Sequence, residues 1–173
     1  RRSSGTVITL PPTPRKAADK PRIASAYDYR DEAGALVFQV VRMEPKTFRQ
    51  RRPDGNGGWE WKVRGTRQVP YRLPELQACA LDSLVYVVEG EKDADRLVSL
   101  GLVATCNAGG AGKWRKDHAQ FLQGRRVVIL PDNDEAGQDH AQKVAKSLQG
   151  IAADVRNVVL PELPDKGDVS DWL

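Results

Sequence analysis

Cysteine and histidine are scarce in this chain, and their scarcity narrows its chemistry. Among 173 residues there are two cysteines, Cys79 and Cys106, and two histidines, His118 and His140. None stands in a CxxC or other zinc-ligand spacing, so no zinc site is expected and both thiols read as free and buried. No apolar run reaches the eighteen or so residues that a membrane span needs, and no charged-then-apolar leader opens the chain. The expectation is a soluble, intracellular protein without a membrane partner. There is no internal repeat. A Walker phosphate loop is also missing: in NAGGAGKW, residues 107–114, Asn107 stands where the first glycine belongs and Trp114 follows Lys113 where Ser or Thr is needed.

What is present divides by charge. Residues 1–75 hold 16 Lys+Arg and 8 Asp+Glu, net +8; residues 76–173 hold 11 and 15, net −4. A basic part joined to an acidic part suggests a polyanion held by the first and metal-binding carboxylates in the second, though a basic surface is often only solvated. The chain opens on Arg1 rather than methionine and reads as a piece of a longer polypeptide.

Residues 1–22, rich in Pro, Ser, Arg and Lys, read as a flexible basic linker or arm. Residues 23–75 show short β-like runs separated by the turn signals DEAG and PDGNGG, predicting a small antiparallel, β-rich accessory subdomain. Alternation there sets Trp59 and Trp61 on one face. Across the hairpin Arg49, Arg51 and Arg52 offer phosphate contacts, so this face is a candidate single-stranded nucleic-acid surface. An aromatic pair on one strand face is more often core, and core is the first reading for the two tryptophans. VPYRLPEL reads as a stiff connector. From residue 76 onward apolar strands alternate with amphipathic helices, which predicts an α/β fold with a parallel sheet covered by helices on both faces.

In such a sheet ligands sit beyond the carboxyl ends of the strands. Three segments deliver acids there: VVEGEKDA brings Glu89, with Glu91 and Asp93 behind it; PDNDEAG brings Asp132 and Asp134; DVSDWL brings Asp168 and Asp171. Gly90 and Gly137 follow the first two, where tight turns bring a helix start close to a strand end. A turn would explain any one of these acidic stretches. Three in register point to a shared divalent ion, whose charge offsets their repulsion. The glycine loop bends Gly109, Gly110 and Gly112 toward the same edge, with Lys113 and Arg115 able to reach phosphates; a plain strand-to-helix turn is the alternative.

The pattern EG, then a DA-containing helix, then DxD followed by AG, resembles the TOPRIM domain, and more closely that of phage and plasmid primases and primase-helicases. The likeness covers roughly residues 75–173. It implies a Rossmann-like TOPRIM catalytic domain over residues 76–173. It also implies Mg²⁺ or Mn²⁺ held by Glu89, Asp132, Asp134 and Asp168, with Glu89 as general acid or base. Asp171 would support the site; Glu91 and Asp93 would either support it from behind or be plain helix N-terminal acids, with the plain reading first for Asp93. The activity implied is that of a DNA primase fragment: metal-dependent nucleotidyl transfer from nucleoside triphosphates on single-stranded DNA, in the cytoplasm of a bacterial or phage-infected cell, with a fused or associated helicase. A metal-dependent nuclease of the same fold and a non-catalytic binding or assembly module are the alternatives. A topoisomerase is disfavoured, because Tyr27, Tyr29 and Tyr71 lie in sheet or connector contexts.

Overall fold

A computed structural model describes residues 20–173; most of the arm expected over residues 1–22 lies outside the described residues. The first half is an antiparallel sheet of four strands in sequential order, β1 (Arg22–Arg30), β2 (Leu36–Glu44), β3 (Thr47–Pro53) and β4 (Trp59–Glu60). The DEAG signal makes the first turn. Asp31 Oδ1 accepts from the amides of Ala33 and Ala35 at 3.0 and 2.9 Å, and Gly34 takes φ +82°, a conformation that glycine adopts without a Cβ penalty.

The connector is shorter than expected. Leu73–Ala78 forms a helix, α1, burying Leu73 and Leu76. Pro74 had argued for a stiff link, but proline is tolerated in a helix's first turn, where the amides lack intrahelical partners.

The second half is a parallel sheet in the order β6-β5-β7-β8, made by β5 (Leu84–Val87), β6 (Val103–Thr105), β7 (Arg126–Ile129) and β8 (Asp154–Asn157). Helix α2 (Glu91–Ser99) buries Ala94 and Leu97, and α3 (Glu135–Leu148) buries Ala141, Val144 and Leu148, the faces their spacing marks. After the glycine loop, Lys116–Leu122 forms a 3₁₀ helix. A last helical turn, α4, spans Val169–Trp172.

One core joins the two sheets. Tyr29, Phe38 and Val40 of the antiparallel sheet and Val69, Tyr71, Leu73 and Leu76 of the connector pack in the same cluster as Val85, Val87, Val127 and Ile129. Tyr29 stacks on Phe38 at 4.4 Å between ring centroids and meets Tyr71 at 5.2 Å. Fully burying such a side chain stabilises by about 1.5–3 kcal/mol, so the aromatic cluster fixes how the accessory sheet sits. Hydrogen bonds set its register: the Tyr71 amide donates to Cys106 O at 2.9 Å, and Thr105 Oγ1 donates to Tyr71 O at 2.7 Å. The mouth between the sheets therefore opens at the carboxyl ends of β5 and β7.

Candidate functional site

At that mouth lies a cleft of about 780 Å³ with walls of opposite charge. One wall carries Glu89, Glu91, Asp93, Asp132 and Asp168; the other carries Arg42, Lys46 and Arg49, with Gly109 and Gly110 at the edge.

Glu89 follows β5 by two residues, and Asp132 follows β7 by three. Burial raises the Glu89 carboxyl above its ordinary pKa, the Asp132 backbone hydrogen bond opposes this, and the charges of Asp134 and Asp93 add to it. Glu89 Oε1 is buried with no hydrogen-bond partner. Asp132 is pushed up to about 7 by burial first, then by Glu89, Asp93, Asp168 and Asp134. Four carboxylates from three segments thus act on one, and removing solvent from a crowded acid disfavours its charged form.

Gly137 makes this crowding possible. A Cβ there would fall 2.5 Å from Asp132 O and 2.6 Å from Glu89 Oε1, so only glycine lets α3 begin against both acids. Asp134 caps α3, its Oδ1 accepting from the Gly137 amide at 2.8 Å, the usual bond of an N-cap aspartate. Asp168 caps α4: its Oδ1 accepts from the Asp171 amide, and Asp171 Oδ2 accepts from the Asp168 amide, both at 3.0 Å. Lys92 Nζ donates to Asp168 Oδ2 at 3.0 Å. Burial works the other way, but the bonds from Lys92 and the Asp171 amide hold Asp168 below the ordinary carboxylate range.

Among the described residues no three His, Cys, Asp or Glu side chains converge into a ready-made ligand set. Of the expected set, Glu89, Asp132 and Asp168 line the cleft while Asp134, which caps α3, is not among its lining residues, and the four do not close around one point. Like charges hold the acids apart, and two of them have taken helix-capping partners. The residues still fit a hard divalent ion. Their donors are all oxygen, one of them is a buried orphan, and the negative field of the neighbouring carboxylates is felt most strongly at Asp132.

Two further acids of the first motif are buried. Glu91 is buried and accepts from the Tyr29 hydroxyl at 2.7 Å, tying the accessory sheet to the start of α2. Asp93, expected as an ordinary helix N-terminal acid, is 6% exposed and accepts from Ser170 Oγ of α4; burial raises its pKa. Tyr29 and Tyr71 are buried in the core, and burial pushes both phenols upward, so neither is an available nucleophile.

The glycine loop contributes Gly109 and Gly110 to the cleft, at φ +87° and +71°. Lys113 and Arg115 are not among its lining residues; Arg115 is drawn aside by Asp117, with Nη2 donating to Oδ2 at 2.7 Å. On the accessory sheet the tryptophans are not core: Trp59 and Trp61 are 37% and 38% exposed. The Arg51 guanidinium lies 3.9 Å from the Trp59 ring centre and that of Arg49 lies 4.3 Å from Trp61. Among the described residues nothing lies outside the two-residue β4 at the sheet's edge to bury the rings. Arg52 points elsewhere, its Nη2 donating to Glu60 Oε2 at 2.7 Å.

Sequence reasoning missed Arg42, Lys46, Asn133 and Ser170. Asn133 Nδ2 donates to Leu163 O at 2.7 Å and to Pro164 O at 3.0 Å, and its amide donates to Gly167 O. The middle residue of DxD thereby holds the loop that carries Asp168. Asparagine's capacity to bond backbone was a visible signal, but its partner thirty residues away was not.

The chain is 30% identical over 139 residues to the Gene 57 protein of Mycobacterium phage D29, an alignment covering 76% of this chain and 87% of that one. Among solved structures it is similar to the primase fragment of the bacteriophage T7 primase-helicase, with a TM-score of 0.61, 22% identity, and coverage of 85% of this chain and 57% of that one. It is also similar to the E. coli primase catalytic core, with a TM-score of 0.60, 22% identity, and coverage of 85% and 47%. A DnaG primase catalytic domain bound to single-stranded DNA matches with a TM-score of 0.59 at 23% identity, again over 85% and 47%. The chain spans about half the length of these solved primases. The Toprim-like family model matches residues 86–173, the half that carries every acid of the cleft, and with this match the chain belongs to the Toprim-like family.

Proposed function

We propose that the chain is the catalytic part of a DNA primase, joining nucleotides into primers on single-stranded DNA. One observation carries this reading. A cleft with carboxylates from three segments on one wall has arginines and a lysine on the other, so it suits a reaction between a polyphosphate and a polyanion. The structural likeness to primase cores supports the same reading.

In primer synthesis a 3′-hydroxyl oxygen bonds to the α-phosphorus of the incoming nucleotide while the bond to pyrophosphate breaks. Bound Mg²⁺ or Mn²⁺ would supply the positive charge that stabilises the attacking and leaving oxygens. Glu89 and Asp132 would hold the ion first, Asp134 through the oxygen not used in its cap, and Asp168 on exchange of its lysine. Glu89 would take or return the hydroxyl proton through the oxygen that does not hold the ion. Arg42 and Lys46 would receive phosphates, and the Arg49, Arg51, Trp59 and Trp61 ladder would guide the template, since arginine and aromatic faces together suit single strands. Residues 23–75 serve in this reading as the accessory subdomain and 76–173 as the catalytic one.

The test is labelled primer synthesis on single-stranded templates with nucleoside triphosphates, with and without Mg²⁺ or Mn²⁺. Metal-dependent synthesis is expected, and Glu89→Gln should lower it by roughly 10²–10⁴-fold, the range for a general acid or base, without loss of fold. Equal synthesis by that variant would reject the site. Cleavage of DNA with Mn²⁺ and no nucleotide would favour a nuclease instead.

A further inference from the structure

A lysine in the first turn of a helix works against the local field. The unpaired amides there carry partial positive charge, which favours acids and disfavours cations. Helix α2 follows this rule with Glu91 and Asp93 and breaks it with Lys92 between them. A broken local rule calls for a compensating contact, and Lys92 has one. Its Nζ donates to Asp168 Oδ2 at 3.0 Å, across 76 positions of sequence, and lies 4.0 Å from Asp93 Oδ1. The ammonium thus stands on the acid wall of the cleft rather than on the basic one.

Both carboxylate oxygens of Asp168 already accept hydrogen bonds. Oδ1 caps α4 and Oδ2 holds the lysine. An oxygen that already accepts from an ammonium takes a divalent ion less readily, because two cations at one oxygen repel. We propose that Lys92 is a tethered countercharge that competes with the divalent ion for Asp168, stabilising the acid cluster before the ion arrives and keeping its affinity low. The inference rests on the metal-binding reading above. A loosely held ion suits a site that must exchange it with each nucleotide.

The experiment is Mn²⁺ titration of the whole chain without nucleotide, read by calorimetry and by melting temperature. Lys92→Gln and Lys92→Met should bind Mn²⁺ about fivefold tighter than the parent, the equivalent of the ~1 kcal/mol that an exposed ion pair contributes. Lys92→Arg, which keeps the charge, should not. Lys146→Gln on the exposed side of α3 is the control for net charge, and screening should hold its effect under about twofold. With chelator present Lys92→Gln should melt below the parent, and saturating Mn²⁺ should close the gap. In an Asp168→Asn background the lysine substitution should no longer change affinity. If the parent binds Mn²⁺ and Lys92→Gln binds it equally or more weakly, the inference is wrong while the metal site stands. If the parent and all variants fail to bind, the metal site and the inference fall together.

Discussion

Asp132 is the residue on which the site's electrostatics meet. Its folded-state pKa is raised to about 7 by burial and by four neighbouring carboxylates, against an unfolded value near 3.9. Between those values the folded chain binds a proton that the unfolded chain has released, so stability falls as pH rises through that window. Asp132→Asn removes the charge without changing shape. In chelator the variant should therefore melt above the parent at pH 7.5, and the difference should shrink toward pH 4, as a series of thermal melts would show. A constant difference would mean that Asp132 is not crowded. If Asp132 holds the proposed ion, primer synthesis should nevertheless be lost, since the substitution removes one of its carboxylate oxygens while relieving the repulsion.

Elements, more than single side chains, bring the acids together. β5 and β7 are neighbours in the parallel sheet, so Glu89 and Asp132 leave adjacent strand ends, and α3 begins against both because Gly137 has no Cβ. Gly137→Ala should destabilise by about 1–3 kcal/mol, the usual cost of overpacking, measured as a lower denaturation midpoint. Asn133→Ala should release the 161–168 loop, seen as faster amide exchange there with the sheet unchanged, since local opening need not involve the core. The strand-end glutamate and the DxD pair were legible in the sequence because strand periodicity and turn glycines are local signals. Asp93 was read as an ordinary helix-start acid because its partner, Ser170, is 77 positions away. α1 was hidden by a proline that its first turn accommodates. The tryptophan pair looked like core because alternation reports a face, not what covers it.

At the scale of the whole molecule, the uneven charge of the sequence becomes two facing walls. That division was visible in the composition; the place of Arg42 and Lys46 in the cleft was not, because it arises only when the aromatic cluster of Tyr29, Phe38 and Tyr71 sets one sheet over the other. If the basic wall meets phosphates, the triple change of Arg42, Lys46 and Arg49 to Gln should weaken single-stranded DNA binding at all sequences alike. It should also flatten the slope of log K against log salt by about 2, near 0.7 for each lost contact. Tyr29→Phe tests the docking itself. It removes the bond to Glu91 while keeping the stack on Phe38, and leaving a buried acceptor without its donor should cost about 1–3 kcal/mol.

The most direct measurement is anomalous diffraction from crystals grown with Mn²⁺ and a non-reactive nucleoside triphosphate analogue. The account predicts a peak at about 2.1–2.2 Å from carboxylate oxygens of both Glu89 and Asp132, near the distance that small hard cations hold, with the nucleotide's phosphates between it and the basic wall. A nucleotide bound in the cleft with no ion touching either acid, or an ion bound elsewhere, would contradict it.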